Sequence, residues 1–270
     1  MQSFHQKLRN SWQKSGSLLC VGIDPDLERI PPELATADKA FFEFGRAIVE
    51  ATAPYVCAFK PQAAHFAAVG KENELAELIE FTKTRFPHIP VILDAKRGDV
   101  GSTAKLYARE AFERYNADAV TVSPYLGKDS LEPYFAFKER GIVVLCRTSN
   151  PGSDWLQNSP DDEQPAYLRI AEQIRQWDNS EQCMLVAGAT YPDELAKVRA
   201  AVGPLPLLVP GIGAQGGSVQ EVLKNGLDSD GVGLVISSSR AIIFADSGPE
   251  YASSAAAAAQ EAMQEINKYR

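Results

Sequence analysis

The chain has 270 residues, with 27 Lys+Arg against 35 Asp+Glu, a formal net charge of −8. Its 45% hydrophobic and 23% charged residues suit a globular protein with a sizeable core, and the acidic balance argues against nucleic acid or an anionic membrane as the main partner. No stretch approaches the roughly 18 apolar residues of a membrane span, and polar Asn10, Ser11, Gln13 and Lys14 after Lys7 and Arg9 are the wrong order for a signal peptide, so a soluble cytoplasmic protein is expected.

Taken in chain order, an amphipathic helix is predicted over 4–14. Eight short apolar runs follow, at 17–23, 55–59, 91–95, 117–122, 141–146, 183–189, 206–212 and 231–236. They are near-continuous rather than alternating, as strands covered on both faces should be. Helical patterns lie between them, for example over 40–50, 74–85, 102–115, 166–177 and 193–201. Eight strands separated by helices is the arithmetic of a (β/α)8 TIM barrel, with the additional N-terminal helix over its floor. A doubly wound sheet is the structural alternative. Composition shows no linker and no short-period repeat, so a single domain over 1–270 is expected. The stretch 150–165 has three prolines and no periodicity, and reads as a lid or a merely mobile loop. The Ala-rich stretch near 255–259 reads as a closing helix of high intrinsic propensity.

Cys20, Cys57, Cys146 and Cys183 each sit in an apolar run with no CxxC pairing, which reads as core packing in a reducing compartment. His5, His65 and His88 are too scattered for a metal motif. A zinc or iron enzyme is therefore not expected.

The polar residues carry the functional signal. Asp24, Lys60, Asp94 with Lys96, Ser149 and Arg240 stand at the C-terminal ends of successive apolar runs. In a β/α barrel those ends converge on one face, and the site lies there. Strand alternation places Asp94 and Lys96 on a common face. Alone, such a pair reads as a surface ion pair worth about 0–1 kcal/mol. Lys60 at the end of the preceding run brings a second ammonium and turns the pair into a constellation. Downstream, Gly211, Gly213 and Gly216 spell GxGxxG. A dinucleotide site would want that loop after the first strand. After the seventh, its N–H groups fit a phosphate, with Arg240 pairing the anion and Gln215 donating from its amide.

These motifs resemble those of orotidine 5′-phosphate decarboxylases, and of their type 2 branch in particular. The likeness covers GIDPD at 22–26, FKPQ at 59–62, DAKRGDVGSTA at 94–104, RTSNPGS at 147–153 and PGIGAQGG at 210–217. It implies a homodimeric barrel that converts orotidine 5′-phosphate to UMP and CO2 without metal or cofactor, in pyrimidine biosynthesis. It also implies that Asp24 and Lys60 bind ribose hydroxyls and that Lys60, Asp94, Lys96 and Asp99 form an alternating charge array. By the same likeness Asp99 and Thr103 complete the partner's site, Ser149 contacts the pyrimidine, and Gln215 and Arg240 clamp the phosphate beside Gly213 and Gly216. Ser123 and Tyr125, at the fourth strand end, receive no role. Three other readings stand beside this one: a metal-dependent sugar-phosphate barrel enzyme, a nicotinamide-dependent dehydrogenase and a non-catalytic nucleotide sensor. The last has no need of Asp94, Lys96 and Lys60 together.

Overall fold

The computed structural model describes residues 2–159, 164–178, 180–212 and 216–270. All eight apolar runs form parallel strands: β1 (Leu19–Ile23), β2 (Ala58–Pro61), β3 (Ile92–Arg97), β4 (Ala119–Val122), β5 (Gly141–Arg147), β6 (Cys183–Ala187), β7 (Leu207–Pro210) and β8 (Leu234–Ser238). Neighbours pair in the order β2-β1-β8-β7-β6-β5-β4-β3. The seam between β2 and β3 is closed by parallel bridges at Phe59–Val91 and Gln62–Asp94. The ring of strands and alternating helices is a TIM barrel, and the doubly wound alternative does not apply. Apolar side chains fill it because each strand is covered on both faces. All residues of β1, β2, β4 and β6 are buried.

The helices predicted over 40–50, 166–177 and 193–201 occur as Ala40–Thr52, Ala166–Trp177 and Pro192–Val202. The one expected over 102–115 is split: α-helix Gly101–Arg109 passes into a π-turn at Glu110–Arg114. There Glu110 takes two hydrogen bonds from the Arg97 guanidinium at 3.0 Å each. A long-range ion pair thus competes with helix periodicity, at the kind of bulge where such departures cluster. The expected loop over 150–165 contains a 3-10 turn at Pro151–Ser153 and a short helix, Asp154–Gln157, while residues 160–163 lie outside the described set. The C-terminal helix Tyr251–Asn267 packs on Ala40–Thr52, with Phe44 stacked on Tyr251 at 5.6 Å between ring centroids.

The floor is closed by helix Phe4–Ser15, whose Ser3 cap accepts from Gln6 N–H. Phe4, Leu8 and Trp12 are buried, and Ser11 Oγ donates to Cys57 O at 2.7 Å. All four cysteines are buried and free. Burial pushes the Cys20 and Cys146 thiols up to about 12, so they sit as packing groups. Asp118, just before β4, pins the helix to the barrel. Its carboxylate takes Lys7 Nζ at 2.7 Å, Lys83 Nζ at 3.2 Å and the Val91 N–H at 2.9 Å. Removing one partner of a buried ion cluster leaves unpaired charge. Asp118→Ala is therefore expected to lower unfolding free energy by about 3 kcal/mol. Urea melts should show a lower midpoint at unchanged slope, and an unchanged midpoint would contradict this account of the floor.

Candidate functional site

Two connected hollows open at the C-terminal ends of the strands. The larger, about 500 Å³, has Lys60, Asp94 and Lys96 at one end and an apolar wall of Leu145, Val186 and Leu208. The smaller, about 200 Å³, is lined by Asp24, Gly211, Ser237 and Arg240, and shares Lys60 and Asp94 with the first. A polar array therefore sits where two differently shaped lobes meet.

Asp94 is the hub of that array. Its Oδ2 accepts from Lys60 Nζ at 2.7 Å, across the β2–β3 seam. Its Oδ1 accepts from Lys96 Nζ at 2.7 Å and from Thr121 Oγ1 at 2.9 Å. Lys60 and Asp94 are buried, whereas the Lys96 side chain is 49% exposed and reaches into the larger lobe. Burial opposes both buried charges, but each partner outweighs it for the other. Lys60 and Lys96 hold the Asp94 carboxyl below the usual carboxylate range, and Asp94 with Asp24 raises Lys60 above the usual lysine range. Lys60 and Asp94 are therefore both ionised at neutral pH.

The convergence of Asp94 and Lys96 has a different origin from simple strand alternation. Between Leu93↔Val120 and Arg97↔Val122 the β3–β4 register shifts, a bulge in β3. Within it Lys96 has φ +47°, a left-handed conformation that costs a non-glycine residue about 1–2 kcal/mol. The bulge turns Lys96 back toward the carboxylate two residues before it.

The other candidates fall into three groups. Asp24 lies beside the array: Ser239 Oγ donates to its Oδ2 at 2.6 Å, and its buried Oδ1 has no partner in the described structure. A buried carboxylate oxygen without a donor is set for a ligand hydroxyl or amine. Gly22 permits this arrangement, because a Cβ there would lie 2.8 Å from the Ser239 Cβ. Ser149 lines the larger lobe and Arg240 the smaller, at the first turn of helix Arg240–Ile243. Gly216 has φ +86°, open to glycine, just before helix Val219–Gly226. Gly213 and Gln215 lie outside the described residues. Asp99 and Thr103 line neither lobe. The Asp99 carboxylate accepts its neighbour's Val100 N–H at 2.8 Å, and Thr103 is exposed on helix Gly101–Arg109.

Three residues escape a reading of strand ends. Thr121 touches the array and Ser239 the neighbouring Asp24, each through a contact distant in sequence. Arg147, inside RTSNPGS, is fully buried. It donates to Glu194, Ser153 and Asp154, and its guanidinium lies 3.7 Å from the centroid of the Tyr191 ring. It ties the outer wall of the larger lobe, residues 148–157, to helix Pro192–Val202. A buried arginine at a strand end, followed by Ser and Asp six and seven positions on, is the signal that was present.

A parallel barrel with a carboxylate clasped by two ammonium groups at its C-terminal mouth defines a β/α-barrel enzyme. Residues 17–256 match the family model described as "Orotidine 5'-phosphate decarboxylase / HUMPS family", and the chain belongs to that family. An orotidine 5′-phosphate decarboxylase of Cellvibrio japonicus is 52% identical over 271 residues, covering 99% of both chains. One of Bordetella avium is 53% identical over 271 residues, covering 99% of this chain and 100% of its own. The solved structure of Leishmania donovani OMP decarboxylase superposes with a TM-score of 0.85 at 39% identity, covering 99% of each chain. Among the described residues, no group of three or more His, Cys, Asp or Glu is placed to hold a metal ion, and no helix is long and apolar enough to cross a membrane.

The pair's pH dependence has a definite sign. Folding lowers the Asp94 pKa, so its contribution is complete above the unfolded value near ~3.9 and is lost as pH falls through the folded one. Folding raises that of Lys60, whose contribution is complete below ~10.4 and is lost only as pH rises beyond it. Urea midpoints measured from about pH 5 down to about pH 2 should therefore fall more steeply for the wild type than for Asp94→Asn. Parallel acid limbs would show that the carboxylate is not held ionised by folding.

Proposed function

We propose that this chain decarboxylates orotidine 5′-phosphate to UMP and CO2, and that Lys96 is the group that stabilises and protonates the carbanion. The observation that carries the reading is the Asp94 carboxylate held between two ammonium groups, one buried and one reaching into an open lobe. Family membership and full-length relatives more than half identical, named for this activity, support the same substrate.

Loss of CO2 from C6 of the pyrimidine leaves an electron pair in an sp2 orbital with no π-acceptor beside it. A fixed cation is what such a pair requires. The Lys96 ammonium lowers the energy of the developing carbanion and then transfers a proton to C6, regaining one from water. Asp94 holds the Lys96 ammonium in place. Lys60 and Asp24 serve the ribose hydroxyls; the unpartnered Asp24 oxygen is an acceptor suited to that task. Arg240 and the 211–217 loop, with Gly213, Gln215 and Gly216, hold the phosphate, while Ser149 meets the base. This assignment needs neither metal nor organic cofactor.

The subunit arrangement follows from what the single chain leaves unused. Asp99 and Thr103 serve a second copy, completing its charge array and ribose site in a homodimer. Exposed apolar residues on the segments after β3 and β4, among them Leu106 (60% exposed) and Tyr125 (76%), support burial there. The motifs 94–104 and 147–153 support the type 2 branch, and we assign the chain to it as one cytoplasmic domain over 1–270.

Purified protein should lower the ultraviolet absorbance of orotidine 5′-phosphate, and a chelator should leave the rate unchanged. Lys96→Ala should reduce kcat by at least about 1000-fold, whereas Arg240→Ala should mainly raise KM. Near-normal turnover by Lys96→Ala would sink the mechanism, and chelator sensitivity would favour a metal-dependent barrel enzyme. Leu106→Glu should shift the sedimentation equilibrium from dimer toward monomer and cut activity with it; a monomeric, fully active variant would remove the shared-site proposal.

A further inference from the structure

We infer that Thr121 is a positioning residue for Lys96, holding both its backbone and the carboxylate that grips its ammonium. This inference rests on the decarboxylase reading above. Thr121 lies in the middle of β4 and is 1% exposed. Its Oγ1 accepts the Ala95 and Lys96 N–H groups, each at 2.9 Å, and donates to Asp94 Oδ1 at 2.9 Å.

The direction of every one of these bonds is fixed by chemistry. Backbone N–H groups only donate, and an ionised carboxylate only accepts, so the hydroxyl must accept twice and donate once. A hydroxyl has one proton and two lone pairs, and here all are used. The register explains why a side chain is needed. Leu93 pairs with Val120 and Arg97 with Val122, so Asp94, Ala95 and Lys96 all face the single residue Thr121. The β4 backbone cannot serve three residues from one position. The threonine side chain takes the two N–H groups the bulge would otherwise orphan.

The result is a closed triangle. Thr121 holds the Lys96 backbone in its left-handed conformation, φ +47°. It also orients Asp94, and Asp94 holds Lys96 Nζ at 2.7 Å. The ammonium is thereby fixed from both ends of its own side chain. Threonine suits the position because its branched Cβ restricts χ1 and keeps the hydroxyl aimed. Valine preserves that shape without the hydroxyl, and serine preserves the hydroxyl without the γ-methyl.

The test compares wild type, Thr121→Val and Thr121→Ser in the full-length protein. Competent sites are counted by the stoichiometry of UMP binding in calorimetry, so that misfolded protein does not enter the rate. Expected for Thr121→Val is a kcat per UMP-binding site reduced about 10- to 100-fold, with KM and UMP affinity changed less than about threefold, because only the reacting end of the site is misplaced. Thr121→Ser should retain kcat within about fivefold. Should the valine protein fail to fold, Thr121→Cys fills nearly the same space with a poor hydrogen-bonding group and should show the same selective loss. A hydroxyl-free variant with wild-type kcat per site would overturn the inference. So would a serine variant that falls as far as valine. Wild-type protein that consumes no orotidine 5′-phosphate would overturn the functional reading and this inference with it, whereas an active wild type with an unimpaired valine variant would overturn this inference alone.

Discussion

The Asp94 carboxylate, shared between the ammonium groups of Lys60 and Lys96, is the interaction on which the mouth of this barrel depends. Lys60 reaches Asp94 across the β2–β3 seam, where backbone pairing is reduced to isolated bridges. The ion pair therefore closes the barrel at the same place where it builds the site. Such a pair is a poor way to gain stability, since desolvating two ions offsets much of their attraction. Apolar residues in the same space would serve a purely structural seam at least as well. Its presence there makes sense as chemistry: it delivers a second, half-exposed ammonium to the lobe with its position already set.

Much of this arrangement was legible along the chain, for a reason that is geometric. A parallel barrel converts position within each apolar run into position in space, so residues at successive strand ends must meet. Asp24, Lys60, Asp94 and Lys96 could thus be grouped before any contact was known. What could not be read was how the contacts are made. The i, i+2 spacing of Asp94 and Lys96 suggested alternation on a regular strand, but a bulge and a left-handed residue bring them together. The Ser239–Asp24 bond joins residues 215 positions apart, and Thr121 meets Asp94 over 27. Periodicity is silent about such pairs because it reports which face a residue occupies, not which partner it finds there. Arg97 shows the converse: it sits inside the densest motif, yet turns away to Glu110 and the Tyr107 ring.

In the proposed reaction the two lobes separate binding from chemistry. One gathers Arg240, Asp24 and Gly211; the other combines Lys96 with an apolar wall. A protein of net charge −8 can take an anionic ligand in this way, because the positive potential is needed only locally. Under the same proposal, the apolar wall of Leu145, Val186 and Leu208 lowers the polarity around the reacting carbon, which strengthens the attraction between an ammonium and a carbanion.

Magnitudes then decide what the ammonium alone achieves. At about 4 Å and an effective dielectric near 20, one unit charge contributes roughly 4 kcal/mol. The barrier lowering of proficient enzymes reaches ~20 kcal/mol, so a single attraction is far too small. The difference must come from charges that need no rearrangement when the carbanion forms, and from contacts to the remote phosphate and ribose. Both demands point back to rigidity. An unrestrained lysine would have to surrender rotamer freedom, about 1.5–2 kcal/mol, and shed oriented water during the reaction itself. Here that ordering is completed on folding, through Lys60, Asp94 and the Thr121 hydroxyl. The cost of two buried ions and a left-handed lysine is thus the free energy that preorganises the site.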